Sequence, residues 1–203
     1  MGESSASRAA WLELRREREV VEEGHRFLEE KRILLARELL IRIAAYARQR
    51  AEFSALEAAA GDALRQALRR CGLEELQVYP PLLNGACDIE LKLHSFLGVA
   101  LPSAKAVATA DPRTVYPPPT ARPEVAALAN RHAALLAAGA ALAAEVTALR
   151  RLDAEYQRTQ RRVRALEKVV LPELKATERA LENALEEQDQ EEAVRVHLAG
   201  RRG

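Results

Sequence analysis

Aromatic side chains are scarce in this 203-residue chain: Phe, Trp and Tyr together make up 4% of it. A round globular core needs bulky rings to fill its volume. Their scarcity, beside 48% hydrophobic residues led by Ala and Leu and 30% charged residues, points instead to long amphipathic helices and an elongated shape. Cysteine is nearly absent. Cys71 and Cys87 form no paired CxxC, so neither a disulfide framework nor a zinc site is expected, and two free thiols in a reducing compartment are the plainer reading. Charge of one sign is lacking too, since the net charge is +1 with Arg and Glu interspersed. With few rings for base stacking, this argues against a nucleic-acid partner. No run approaches the ~20 apolar residues that cross a bilayer, because Asn130, Arg131, His132 and Glu145 interrupt the alanine-rich stretch from Ala126 to Ala148. Met1 to Ala10 carries no apolar signal core. A cytoplasmic protein with no direct membrane insertion is expected.

Catalytic chemistry is missing in the same way. No GxxxxGK[ST] loop is present to cradle phosphates, and Asn84-Gly85 marks only a turn. His25, His94, His132 and His197 are scattered, without ligand spacing to one another or to a cysteine. Ser54, Ser95 and Ser103 belong to no nucleophile motif. No catalytic, cofactor-binding or metal-ligating residue is therefore assigned, and no cofactor is expected.

What the chain does have is two long periodic arms. From Ser7 to Arg70 there is no proline, and Gly24 and Gly61 are the only glycines. Ser4, Ser5 or Ser7 is placed to cap the start. Leu14, Val21, Leu28 and Leu35 fall at sevens, with Ile33 and Leu40, and Phe27, Leu34 and Ile41, repeating beside them. Glu22–Arg26 and Glu38–Arg42 sit at the i,i+4 spacing of an exposed helical face. Cys71-Gly72 is a natural stop. In the second arm Leu135, Leu142, Leu149, Tyr156, Val163 and Val170 recur at sevens, followed by Leu174 and Leu181. A sustained 3.5-residue period keeps one stripe against a partner helix. Between the arms lie eight of the nine prolines, which exclude long helix. Within this stretch Asp88 to His94 alternates at the period of a half-buried strand, and Gly98 to Pro102 can continue as a second. The expected fold is mainly α: a long antiparallel two-helix coiled-coil hairpin with a small α/β-hairpin insert. Its parts are an N-terminal arm over 1–72, a middle insert over 73–123 and a C-terminal arm and tail over 124–203.

One stretch is more specific. Arg161-Arg162-Val163-Arg164-Ala165-Leu166-Glu167-Lys168-Val169-Val170-Leu171-Pro172-Glu173-Leu174 joins a basic cluster, an apolar stripe and a proline where a helix tolerates one poorly. The stripe continues through Leu174, Leu181 and Leu185, so a kinked but continuous helix is expected. Arg158 to Arg164 forms a basic band, and Glu182 to Glu192 an acidic one. This stretch resembles the RRVNALE-x-VV-x-P signature of the D subunit of the V/A-type rotary ATPases, with Arg164 where that family usually has Asn. Ser7-Arg8, Gly24-His25 and Lys31-Arg32 are similar to the family's N-terminal pattern. Leu97 to Pro102 is similar to its GV-x-x-P segment, and Leu185 to Glu192 to its acidic run. The tail Arg195 to Leu198 departs from the usual ending.

The resemblance implies the central rotor shaft of an ATPase or ATP synthase. It implies the small F subunit, the catalytic A/B hexamer and a membrane-side socket subunit as partners, with the chain peripheral to the membrane through the complex. It also implies partner contacts at Arg8, Lys31, Arg32, Gly98, Val99, Pro102, Arg161, Arg162, Val163, Leu166, Glu167, Pro172, Glu187 and Glu191. The competing class is a coiled-coil scaffold that self-associates or lies on anionic membranes; no polybasic run supports it.

Overall fold

The computed structural model describes residues 7–78, 87–108 and 122–200. Helix α1 runs Arg8–Val78, strands β1 and β2 span Cys87–Phe96 and Val99–Ala108, and helix α2 covers Pro123–Ala165. One π turn, Leu166–Val170, leads directly into helix α3, Leu171–Gly200. The chain is thus mainly helical, two long helical arms with a two-stranded antiparallel sheet inserted between them, as the periodicities imply. The readings at Ser4, Ser5 and Asn84-Gly85 lie outside the described residues, as do Pro80, Pro81 and Pro117 to Pro119 among the prolines between the arms and the side chain of Cys87. Cys71 is a free, half-buried thiol.

Local chemistry explains most of the ends. The Ser7 hydroxyl accepts from the Ala10 N–H at 3.1 Å and its carbonyl from Trp11 N–H, capping α1. Pro123 stands first in α2, where its missing N–H removes a donor that has no helical partner anyway. The stop expected at Cys71-Gly72 is only a break. Gly72 leaves helical geometry at φ 77 and ψ 165, a region glycine enters without a Cβ penalty, and the chain re-enters helix to Val78. The expected composition of the second arm also needs correction. Its helix includes an 18-residue window of mean hydropathy 1.5 with at most two charged residues, apolar enough by length and composition alone to cross a membrane. Runs of alanine raise the mean there without supplying large apolar side chains.

The chain divides into two compact units. The first is Leu35–Glu155. In it α1 and α2 run antiparallel: Arg42 meets Glu145, the Phe53 ring lies 3.3 Å from where a Cβ on Gly139 would be, and Glu75 meets Arg122. Its buried residues are Leu35, Leu128, Val125, Leu152 and a set of alanines, Ala60, Ala67, Ala144 and Ala148, whose small side chains let the backbones approach. The hairpin adds Val99 and Leu101 to this core. Its strands close over Leu97 and Gly98, both at positive φ (49 and 85), which suits a two-residue turn. The register pairs Phe96 with Val99, Ser95 with Ala100 and Leu93 with Pro102. Counting from the turn, Ala100 and Pro102 fall at positions whose backbone polar groups point away from β1. Pro102 therefore costs the ladder nothing, and the outward Ala100 carbonyl accepts from Arg151 Nη1 at 2.8 Å.

The second unit comprises the described parts of Met1–Leu34 and Tyr156–Gly203. Arg8–Asp189, Arg18–Glu178 and Glu22–Lys175 contacts show the two helical segments antiparallel here as well. Thr159 and Val163 are buried between them. The helix remains unbroken at Pro172: the π turn just before it widens the coil, with Leu171 N–H bonded to Leu166 O, and so relieves the clash a regular turn would force.

Candidate functional site

Within Leu35–Glu155 the inward positions of α1 are not all apolar. Arg42 occupies one of them, and its side chain is only 16% exposed. It is held on three sides, by Glu38 at 2.8 Å, by both carboxylate oxygens of Glu145 at 2.9 and 3.1 Å, and by His94. The guanidinium donates to His94 Nε2 at 3.2 Å, so the hairpin is fastened to α1 by a ring nitrogen acting as acceptor. Arg42 was legible in the sequence only as half of an exposed i,i+4 pair; its bridging role was missed.

The hairpin's other face is open. Ile89, Leu91 and Leu93 are 53%, 68% and 68% exposed, although their alternation reads as half-buried. They border an apolar groove of about 600 Å³ together with Pro102, Ala104 and the Ala140, Ala143, Ala144 and Thr147 face of α2, closed at one end by Arg151. Of the expected contact residues in this unit, Gly98 is at the exposed turn, whereas Val99 is buried inside the unit and Pro102 is buried at the wall of that groove.

In the terminal unit Arg18 takes an inward position of α1. Its Nε lies 2.8 Å from Glu178 Oε2 and its Nη1 3.0 Å from Glu22 Oε1. Partial burial pushes the Glu22 carboxyl up, but the hydrogen bond and charge of Arg18, with Lys175, outweigh it and hold the carboxyl below its ordinary value. Burial likewise lowers the Arg18 guanidinium, yet Glu22, Glu178 and Glu19 together raise it. Arg8 pairs with Asp189 through both carboxylate oxygens at 2.8 and 3.2 Å. Lys31 and Arg32 are half-buried, Arg32 beside Glu29. Arg161, Arg162, Glu167, Pro172, Glu187 and Glu191 are exposed, Glu191 pairing with Arg195 at 3.2 Å, while Val163 is 3% exposed and Leu166 half-buried. Arg158, Arg161, Arg162 and Arg164 all face solvent.

The columns Phe27 and Leu34, and Ile33, are exposed here, as are Leu40 and Ile41 in the other unit. They do not join the seam with Leu14, Val21 and Leu28. Periodicity marks a face as apolar but cannot say whether the face meets this chain or another.

The comparisons with known proteins cover almost the whole chain. A family model described as the ATP synthase D subunit matches residues 10–201. The chain is 33% identical over 199 residues to the V-type ATP synthase D subunit of Anaeromyxobacter dehalogenans, spanning 97% of this chain and 95% of that protein. It is 27% identical over 192 residues to the A-type ATP synthase D subunit of Pyrococcus furiosus, spanning 94% and 90%.

Proposed function

The chain belongs to the ATP synthase D-subunit family, and from that membership we propose that it is the central-stalk rotor of a V/A-type proton- or sodium-translocating ATPase/ATP synthase. It passes torque between the catalytic A/B hexamer and the membrane ring and contributes no catalytic group of its own. One observation carries the physical side of this reading. In each unit a seam arginine on α1 grips a carboxylate of the facing helix, Arg18 with Glu178 and Arg42 with Glu145, at side-chain exposures of 14–22%. Fastened this way, neither helix can rotate about its own axis without breaking a partly buried charge pair, so twist applied to one is handed to the other.

The exposed arginines of the Arg158–Arg164 band and the Glu182–Glu192 acidic band are the surfaces offered to the surrounding hexamer. The hairpin-bearing middle lies towards the membrane-side socket, and through it the chain is peripheral to the membrane, on the cytoplasmic side. The small F subunit docks on the hairpin face of Ile89, Leu91 and Leu93 and the adjoining helical surface. Mass action at such an apolar face is testable without disturbing the core, because none of the three side chains is buried. The triple variant Ile89→Thr, Leu91→Thr and Leu93→Thr keeps its helical circular dichroism and weakens capture of the purified F subunit by at least about tenfold. Unchanged capture moves that contact to the helices alone. Purified chain hydrolyses no ATP, and a tagged copy brings A, B and F subunits with it; robust turnover by the chain alone, abolished by a point substitution in it, would sink the rotor reading.

A further inference from the structure

The C-terminal arm slips by one residue against its own seam. In the terminal unit Tyr156, Thr159, Val163, Leu166 and Val170 are turned inward at alternating steps of three and four. Continued unchanged, that step brings Glu173, Thr177 and Ala180 inside next. All three are exposed. The residues turned inward are Leu174, Glu178, Leu181 and Leu185, each one position late. On the facing segment of α1, Leu14, Arg18, Val21, His25, Leu28 and Arg32 keep the step without interruption. The slip is therefore one-sided.

It coincides with the π turn. Leu171 N–H donates to Leu166 O, five residues back, and a single such turn adds one residue to the helix. The extra residue is the slip. Side-chain chemistry keeps it where it is. Shifted a turn towards the N-terminus, it would swing Arg164 and Glu167 inward in place of Val163 and Leu166. Shifted towards the C-terminus, it would bring in Glu173. Either move buries an unpaired charge. The backbone ladder is at its thinnest at this spot. Pro172 has no N–H to offer, and no side chain of the turn is fully buried.

We propose that the Leu166–Val170 turn is a pinned, torsionally compliant joint. The helix on its N-terminal side is locked to α1 by Thr159 and Val163. The helix on its C-terminal side is locked by the Arg18–Glu178, Glu22–Lys175 and Arg8–Asp189 pairs. Relative twist of the two is taken up at the turn between these two sets of contacts, whose inward side chains, Leu166 and Val170, are only half-buried. The cause is the phase of the seam, and the proline sits where that phase has already opened the coil.

The test is amide exchange on the full-length chain, read peptide by peptide. Deleting Lys168 together with Pro172→Ala restores the three-and-four step through Leu174 and completes the ladder. Exchange over residues 169–176 then slows about tenfold or more, while residues 156–163 keep wild-type protection and total helicity does not fall. Pro172→Ala alone keeps the wide turn, so the same peptide stays within about threefold of wild type. Wild-type protection over 169–176 equal to that over 156–163 would show that the turn is no softer than its neighbours and overturn the proposal. Full protection from Pro172→Ala alone would make the proline the cause, and loss of helicity in the deletion variant would show that the seam phase was misread. Either result overturns it as well.

Discussion

Leu152 and Leu149 lie three residues apart on α2, both in the apolar periodicity, yet the first is fully buried and the second only half-buried. Substituting each by Ala separates seam from rim. Arg42 meets Glu145; seven residues back along α1 is Leu35, seven forward along α2 is Leu152, and antiparallel pairing puts these two fully buried leucines at one level. Leu152→Ala forfeits about 2.4 kcal/mol of transfer free energy for three carbons. The neighbouring inward residues, Ala148 and Ala144, are too short to close the gap, so a cavity term lifts the total to about 3–4 kcal/mol. Leu149→Ala, already half in water, costs about 1 kcal/mol. At about 2–4 °C per kcal/mol for a chain of this size, the melting temperatures fall by about 10 °C and about 3 °C. Urea and thermal melts followed by far-UV circular dichroism read both. The Leu35→Ala/Leu152→Ala pair should be coupled by at least about 0.5 kcal/mol. Equal costs for Leu149→Ala and Leu152→Ala, or strict additivity with Leu35→Ala, would mean the seam runs elsewhere.

Arg42→Ala strands Glu145 at 14% side-chain exposure and releases His94, and should cost about 2–4 kcal/mol in the same melts; Arg42→Lys should recover less than half, since an ammonium cannot reach three acceptors in that planar arrangement. Gly72→Ala should cost about 1–3 kcal/mol despite open space around it, because φ 77 with ψ 165 strains any side-chain-bearing residue. Glu22 has its carboxyl held below the ordinary 4.5, so its contribution is present above that pH and is lost as pH falls through the lower, folded value; wild type and Glu22→Gln should differ in stability near neutrality and converge in acid.

How much of this was readable beforehand depends on whether a residue acts alone or in a pair. The arms were legible because Leu14, Val21, Leu28 and Val163 repeat at a spacing only a helix pair uses, and the strands because Ile89, Leu91 and Leu93 alternate. Pro172 signalled a disturbance, but a proline announces only a missing N–H, and the wide turn came from Leu174 and Leu181 being out of phase with Val163 and Val170. Those leucines were visible; the conflict between two correct periodicities was not weighed. Phe27, Ile33 and Leu40 were legible only as columns repeating beside the sevens, because an apolar column looks the same whether its partner is this chain or another. The burial of Val99 and Pro102 was not legible, because the direction of a strand's side chains follows its register, which is set here by the turn at Leu97 and Gly98.

The arginines in the seam argue for a fold selected for register rather than for stability. A partly buried ion pair returns little net free energy over a leucine pair of similar size, because desolvating two charges cancels most of their attraction. A seam of leucines and alanines alone, however, tolerates a slip of seven residues with nearly equal burial. Arg42 does not. Displaced by one heptad, it would meet Leu152 or Ala138 in place of Glu145, leaving a charge buried against apolar carbon on both helices at a cost of several kcal/mol. Arg18 imposes the same condition on the terminal unit, where the position one heptad from Glu178 is Leu171 or Leu185. Two such pairs admit one alignment of α1 with its partners. A single alignment, more than a deeper energy minimum, is what these charged residues supply at positions where apolar ones would hold the helices together at least as well.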